Sequence, residues 1–328
     1  MHVRAVVVAE PGGAEQLRIV DRPDPVPDAD ELLVKVHATS VNRADVLQRQ
    51  GSYPPPPGAS DVLGLEVAGE VVETGSAVSD WQPGDRMAAL LASGGYAEYA
   101  TVAAGTALRL PDDMTWIEAG GLTEVFCTAY DNVMVRGRLR SGETLLIHGV
   151  SSGVGTAAAQ LAVRAGARVI GTASSAAKLA AAAGLGAHDG IDYTNEDFVE
   201  RARALTQGRG VDVILDMVGG SYLQRNLEAL APDGRLVIIG LQGGTRAEVS
   251  LRLLMSQRLT VTGSTMRARS VAQKAKVARG MEKDVMPGFA DGSLRVIVDS
   301  VFDLDHVADA HRALEAGDHI GKVVLTVA

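Results

Sequence analysis

The chain has 328 residues, 46% of them apolar, with a formal net charge of -9 and a pI near 5.3. That length suggests about two domains, and the apolar fraction is enough for a core in each. The acidic balance, with no Lys/Arg block, argues against a general nucleic-acid or anionic-membrane binder, since either needs a basic face. No run of about 18 apolar residues is free of charge or glycine breaks, so no spanning helix is expected. The start, Met1 to Val8, has too short an apolar stretch for a signal h-region. Cys127 is the sole cysteine, which excludes an intrachain disulfide and fits a reducing cytoplasm.

In chain order, the first third reads as short strands with turn signals between them. Leu32–Val36 and Val67–Val72 carry branched residues, while Pro23, Pro25, Pro27 and Gly84-Asp85 punctuate them. From about Trp116 the pattern changes to alanine-rich helices alternating with apolar strands. Thr144–His148, Arg168–Gly171, Val211–Leu215 and Arg235–Ile239 are the strands, and Thr156–Arg164 is a helix. Such alternation implies crossover units and a parallel sheet. The last fifty residues return to strands at Val296–Val298 and Lys322–Val327, around a helix from Val307 to Ala316.

After the strand ending at His148 comes Gly149-Val150-Ser151-Ser152-Gly153-Val154-Gly155-Thr156. Small residues between a strand and a helix let the backbone approach a pyrophosphate, toward which the helix points its N-terminus. A site for NAD usually carries Asp or Glu about 20 residues further on, to hold the ribose hydroxyls. Here that stretch is Thr172-Ala173-Ser174-Ser175-Ala176-Ala177-Lys178, with no acid. Ser174 and Lys178 suit a ribose 2′-phosphate instead, so NADPH is the expected cofactor.

These features resemble the medium-chain dehydrogenase/reductase superfamily. Its zinc enzymes carry an early Cys, a Gly-His-Glu triplet and a four-Cys lobe. The corresponding segments here are Thr39–Asp45 without Cys and Gly64-Leu65-Glu66 without His, so no metal is expected. Cys127 reads as a small buried helix residue. Within the superfamily the chain is most similar to zinc-free quinone oxidoreductases of the p53-inducible type. The likeness is carried by Asn42-Arg43-Ala44-Asp45, Gln48–Gly51, Tyr53 to Ala59, Ser152–Ala158, Asp216, Gly219–Tyr222 and Ile320-Gly321-Lys322.

The resemblance implies an α/β fold, with a Rossmann doubly wound parallel sheet inserted in a GroES-like β-rich catalytic domain. The latter would comprise 1–122 and 267–328, and the NADPH-binding domain 123–266. It implies that Ser174, Lys178 and Tyr193 surround the 2′-phosphate and that Ser152, Gly153, Val154 and Gly155 take the pyrophosphate. Asn42 and Thr128 would lie near the nicotinamide, Gly240 and Leu241 at the end of the fifth strand. The family's Asn three residues before the C-terminal Lys is His319 here, a departure that leaves His319 either a cofactor contact or a surface histidine; with Lys322 it completes the candidate cofactor set. Tyr53 is the candidate contact to a quinone oxygen, through its phenol; Asn42 shares that role or caps the following helix. The implied activity is direct hydride transfer from NADPH to a quinone or similar conjugated carbonyl. The alternatives are an enone or enoyl-thioester reductase and a weakly catalytic NADPH sensor. The family also implies a homodimer formed along the edge strand Leu259–Ser264.

Overall fold

The computed structural model describes residues 2–327. They divide into two units, Met1–Cys127 with Met266–Ala328, and Thr128–Thr265, the second inserted in the sequence of the first.

In the first unit the strands are β1 (His2–Val8), β2 (Leu17–Pro23), β3 (Glu31–Val41), β4 (Glu66–Thr74), β5 (Arg86–Leu90), β6 (Tyr99–Ala103) and β7 (Ala107–Arg109). Three short helices belong to it: α1 (Arg43–Arg49), α2 (Trp116–Gly120) and α3 (Thr123–Ala129), the last running on into the second unit. The second unit alternates β8 (Thr144–His148), α4 (Gly153–Arg164), β9 (Arg168–Ala173), α5 (Ala176–Gly184), β10 (Asp189–Asp192), α6 (Phe198–Leu205), β11 (Val211–Asp216), α7 (Leu223–Ala229), β12 (Leu230–Ile238), α8 (Leu251–Gln257) and β13 (Thr260–Gly263). The chain then completes the first unit with α9 (Val271–Asp284), α10 (Met286–Ala290), β14 (Val298–Asp303), α11 (Val307–Ala316) and β15 (Lys322–Thr326).

The seven-stranded sheet of the first unit runs β14-β15-β3-β4-β5-β7, with β6 also on β3. All its pairings are antiparallel except β14 with β15. Leu32, Val34, Val36, Val67, Val71, Met87, Val102, Val323 and Leu325 form its core. The alternating pattern along β3 gives way at Thr39–Val41 to residues buried on both faces, so polar side chains there must find partners inside.

The second unit's six strands run β10-β9-β8-β11-β12-β13, all parallel. β8 is followed by β9 on one side and flanked by β11 on the other. The strand order therefore reverses at β8, the point where doubly wound sheets bind ligands at their carboxyl ends. β8 and β11 are buried throughout, as a sheet covered on both faces requires.

Two elements differ from the sequence reading. The strand expected at Val296–Val298 is β14, Val298–Asp303. Its partner β15 begins only at Lys322, because Gly321 turns with φ +91 and its absent Cβ would lie 2.2 Å from the Ile297 carbonyl oxygen. Val296 therefore has no strand to pair with, although its side chain is buried. Helix α4 begins at Gly153 rather than Thr156, so the end of the glycine loop is itself the first helical turn.

Candidate functional site

In the second unit the sequence-predicted cofactor residues gather at the carboxyl edge of the parallel sheet. β8 ends at His148, and Gly149 turns the chain at φ +65. Ser152 caps α4, its Oγ accepting from the Gly155 N–H at 3.1 Å. A Cβ on Gly155 would sit 2.3 Å from the Gly149 carbonyl oxygen, so only glycine lets the helix start this close to the strand. Ser174 directly follows β9, and the Lys178 ammonium donates to its Oγ at 3.3 Å. Tyr193 directly follows β10 and is exposed. Gly240 lies beyond β12, where a Cβ would meet the Met217 carbonyl oxygen at 2.7 Å; Leu241 beside it is exposed. Asp216, fully buried at the end of β11, accepts from the Val218 and Gly219 N–H groups at 2.7 and 3.1 Å. Burial nevertheless pushes its carboxyl up to about 6. Thr128 stands where α3 passes into a π-helical turn at Tyr130–Arg136, and its Oγ1 is buried without a hydrogen-bond partner among the described residues.

In the first unit Asn42 stands at the N-cap of α1, but its side chain does not cap. Asp45 supplies the reciprocal half of a capping box, accepting from the Asn42 N–H at 2.8 Å. The Asn42 amide turns inward instead. Its Nδ2 donates to Glu66 Oε1 at 3.0 Å and to the Ser40 carbonyl at 3.4 Å, and its Oδ1 accepts from Lys322 Nζ at 2.6 Å. The capping role expected as one alternative for this side chain is thus filled from the other direction.

Glu66 is the centre of this network. It is fully buried, and its carboxylate also accepts from Ser40 Oγ, Thr123 Oγ1 (3.1 Å) and the Glu124 N–H (2.9 Å), with Lys322 Nζ at 3.2 Å. Burial pushes its pKa up, but the Lys322 ammonium and the hydrogen bonds outweigh that and hold it below the ordinary value. Its neighbour Glu124 shows the opposite balance: burial, then the Glu66 charge, push it up to about 7. Asp45 is pushed up to about 6, mainly by burial.

Tyr53 is half-buried, and the Arg267 guanidinium lies 5.3 Å from its ring centroid. Arg267, itself buried, donates to the Tyr53 carbonyl (3.0 Å), the Ala92 carbonyl (2.7 Å) and Gln48 Oε1. His319 lies half-buried in the loop between α11 and β15. Asn42 and Lys322 are therefore in direct contact, while no hydrogen bond or ion pair among the described residues links Tyr53 to either.

The sequence reading did not single out Glu66, Glu124 or Arg267 as functional. A signal existed for Glu66: one acid in the apolar run Leu65-Glu66-Val67-Ala68 implies a buried charge that needs a partner. Arg267, within Met266-Arg267-Ala268-Arg269, carried none.

The positions that hold zinc ligands in related enzymes do not fit that metal. Leu65 offers hydrocarbon, and Thr39 and Ser40 offer hydroxyls already donating to Glu66, where zinc takes thiolate, imidazole or carboxylate. Among the described residues no group of three or more His, Cys, Asp or Glu is placed to hold a metal ion.

A GroES-like antiparallel unit interrupted by a doubly wound parallel one, with a glycine loop at the sheet's switch point, defines a dinucleotide-type oxidoreductase. Residues 28–112 match the alcohol dehydrogenase GroES-like domain family, and residues 153–279 the family described as zinc-binding dehydrogenase. The chain belongs to the medium-chain dehydrogenase/reductase superfamily. It is 32% identical over 326 residues to the quinone oxidoreductase of Lama guanicoe, covering 98% of this chain and 97% of that one. The Escherichia coli quinone oxidoreductase complexed with NADPH is structurally similar, with TM-score 0.88, 29% identity and 99% of each chain covered. So is the CurF ER cyclopropanase of the curacin A biosynthetic pathway, with TM-score 0.87, 27% identity and 99% of each chain covered.

Proposed function

We propose that this chain is a zinc-independent NADPH:quinone reductase. The observation that carries the cofactor choice is the Ser174–Lys178 pair at the end of β9, at 3.3 Å, where no carboxylate stands. A hydroxyl beside an ammonium binds a ribose 2′-phosphate, and a carboxylate there would repel it. The NADPH carried by the similar E. coli enzyme supports the same reading. The edge around the glycine loop fits a dinucleotide: Gly155 leaves no Cβ in the way, and Thr128 Oγ1 is a buried group without a hydrogen-bond partner among the described residues.

When bound, NADPH supplies the hydride. Ser152, Gly153, Val154 and Gly155 hold the pyrophosphate at the N-terminus of α4. Ser174, Lys178 and Tyr193 hold the 2′-phosphate, while Gly240 and Leu241 line the edge beyond β12. Thr128 and Asn42 orient the nicotinamide; His319 adds a further contact, and Lys322 acts through Asn42. The Tyr53 phenol donates to the substrate oxygen as charge develops there. Rate enhancement rests mainly on alignment, which supplies on the order of 7–11 kcal/mol in well-positioned systems.

A second reading, reduction of an enone or enoyl thioester, is favoured by the likeness to the ER cyclopropanase and by a match to a polyketide synthase subunit. That subunit, from Mycobacterium tuberculosis, is 32% identical over 321 residues, 98% of this chain and 14% of the subunit. NADPH oxidation followed with an ortho-quinone, a para-quinone and a simple enone in parallel separates the two. NADPH binding with no turnover on any of them would leave a cofactor sensor. Lys178→Ala should weaken NADPH binding on the order of tenfold, the loss of one charge-assisted contact, and leave NADH binding unchanged. Equal loss for both nucleotides refutes the 2′-phosphate assignment.

The chain acts as a cytoplasmic homodimer with a small-molecule partner, without nucleic acid or membrane. Supporting the dimer, β13 ends the parallel sheet and exposes Val261, and Leu251 and Met255 of α8 are 68% and 79% exposed. A monomer by light scattering at micromolar concentration refutes it.

A further inference from the structure

The loop that follows α1 carries Tyr53 on few ties. The Ser52 and Tyr53 N–H groups both donate to the Leu47 carbonyl, at 2.8 and 3.1 Å, which turns the chain back at the end of α1. The next four residues, Pro54–Pro57, have no N–H to donate, and their rings fix φ, so the run moves as one stiff piece. Beyond it the Ala59 N–H donates within the loop, to the Pro56 carbonyl at 3.1 Å. Among the described residues, the single hydrogen bond from residues 53–59 to a segment other than α1 is the one that the Tyr53 carbonyl accepts from Arg267 Nη1, at 3.0 Å. Arg267 does more than close that bond. Its Nε donates to the Ala92 carbonyl at 2.7 Å, just beyond β5, and its Nη2 to Gln48 Oε1 in the last turn of α1. Its guanidinium carbon lies 5.3 Å from the Tyr53 ring centroid, within the distance at which an aromatic face holds a cation. Arg267 is 4% exposed, so water does not replace these bonds when they are lost. One planar fork thus holds Tyr53 by backbone and by ring. The phenol itself forms no hydrogen bond among the described residues, and the residue is half-buried, so its donor is uncommitted.

We propose that Arg267 is a positioning residue of the reduction: it holds Tyr53 where the phenol donates to the substrate oxygen, and acts on the substrate through Tyr53. This rests on the reading above, in which Tyr53 contacts the substrate. No bond is made or broken on Arg267. Because the proline run is stiff, fixing its Tyr53 end fixes the run as well. The cation beside the ring also strengthens the phenol as a donor, since it favours the negative charge that the phenol oxygen takes on as its proton moves toward the substrate. Lysine is a poor replacement: its ammonium is a point charge on a flexible stem, whereas one rigid fork here meets acceptors in three segments.

The test uses the full-length protein with Arg267→Met, Arg267→Lys, Tyr53→Phe and the double variant Arg267→Met/Tyr53→Phe. NADPH affinity is measured by fluorescence titration, and kcat and KM with a quinone and an enone. Arg267→Met should lower kcat/KM on the order of 10²-fold, the effect of a misplacement of about 1 Å, with NADPH affinity unchanged. Tyr53→Phe should lose a similar factor, and Arg267→Lys should recover little of the rate. On the Tyr53→Phe background, Arg267→Met should cost no more than about threefold further, because both changes remove the same phenol contact. A merely structural role would cost the same on either background, so losses that multiply overturn the proposal. Full turnover of Arg267→Met overturns it too, as does NADPH affinity that falls in step with turnover. Should Arg267→Met fail to fold, the same cycle is run with Gln48→Met, which removes one acceptor and keeps the guanidinium. A loss of about threefold or more that vanishes on the Tyr53→Phe background supports the proposal, and no loss, or one that persists there, overturns it. Tyr53→Phe with wild-type turnover removes the Tyr53 contact, and this proposal with it, but leaves the reductase reading standing. A wild type that oxidises NADPH with neither acceptor overturns the reductase reading itself.

Discussion

Removing the Lys322 ammonium while keeping its bulk, as in Lys322→Met, isolates the charge at the centre of the first unit. The pair with Glu66 stands at 3.2 Å, with 4% and 0% of the side chains exposed. At an effective dielectric near 20 that separation corresponds to a Coulomb energy of about 5 kcal/mol, and removing one partner of a buried pair costs about 3–5 kcal/mol. The remaining donors to Glu66 soften the loss, while Asn42 Oδ1 loses its donor and adds to it. The pH dependence carries the diagnostic sign. In the wild type the folded pKa of Glu66 is depressed, so its contribution is present above the unfolded pKa and lost as pH falls through the folded one. Without Lys322, burial dominates and the folded pKa rises above the unfolded value. The variant then gains relative stability as the pH falls and Glu66 takes up a proton. Both tryptophans, Trp81 and Trp116, belong to the first unit, so their fluorescence in urea follows that unit alone. We expect a loss of about 3–5 kcal/mol at about pH 8, a midpoint shift of about 1–2 M urea, with a distinctly smaller loss at about pH 5. Adding Glu66→Gln should restore at least half of it. A loss below about 1 kcal/mol, or one equal at both pH values, refutes the argument.

Gly155→Ala should lower stability by about 1–3 kcal/mol, because its Cβ would lie 2.3 Å from the Gly149 carbonyl oxygen and 2.7 Å from the Val150 carbonyl, and α4 must shift to admit it; NADPH affinity should fall with it, and a variant binding NADPH normally would detach the loop from the cofactor. His148 is buried between Thr172 and Asn226, and burial lowers its pKa to about 4. A depressed folded pKa contributes stability that is present above the ordinary value of 6.5 and lost as pH falls toward about 4. The opening free energy that hydrogen exchange reports at Thr144–His148, corrected for the slower intrinsic exchange in acid, should therefore fall on acidification with a slope of up to about 1.4 kcal/mol per pH unit. His148→Gln should flatten that slope; an unchanged slope means another group sets it.

The parallel sheet was legible in the sequence because buried strands such as Leu145-Leu146-Ile147 are continuous apolar runs with glycine or small residues after them. The helix Val307–Ala316 was legible from its spacing. The glycine loop, and the missing acid after β9 on which the cofactor proposal rests, were legible because both are local. What was not legible depends on partners distant in the chain. Lys322 and Glu66 are 256 positions apart and Lys322 and Asn42 280, so no periodicity links them. Lys322 was expected as a cofactor contact from the resemblance, while its bonds to Asn42 and Glu66 had no mark in the sequence. Nothing local in the sequence marks Glu124, whose N–H donates to Glu66, 58 positions away. Val296 misled because apolar character alone marks burial, whereas a strand also needs a partner.

The same network limits what Asn42 is able to do. Both hydrogens of its Nδ2 are engaged, one with Glu66 and one with the Ser40 carbonyl, and its Oδ1 already accepts from Lys322. Turning the amide over would set Oδ1 against the Glu66 carboxylate and the NH2 group against the Lys322 ammonium, two repulsions in place of two attractions. The orientation is therefore fixed, and the only free capacity is a second lone pair on Oδ1. Asn42 can accept from an amide N–H, as a nicotinamide carboxamide would offer, but has no donor for a substrate oxygen unless its bond to Glu66 breaks. The donor role in the proposed reduction then falls to the Tyr53 phenol, and the buried ion pair acts chiefly to hold one amide in one orientation. Asn42→Asp should accordingly damage the site more than Asn42→Ala, although aspartate keeps the acceptor. Its second oxygen would face Glu66 without a proton between them, so the pair would take one up, raising the apparent pKa of the cluster. A titration of the Asn42→Asp protein by infrared difference, showing no added carboxyl near neutral pH, would contradict this orientation of the amide.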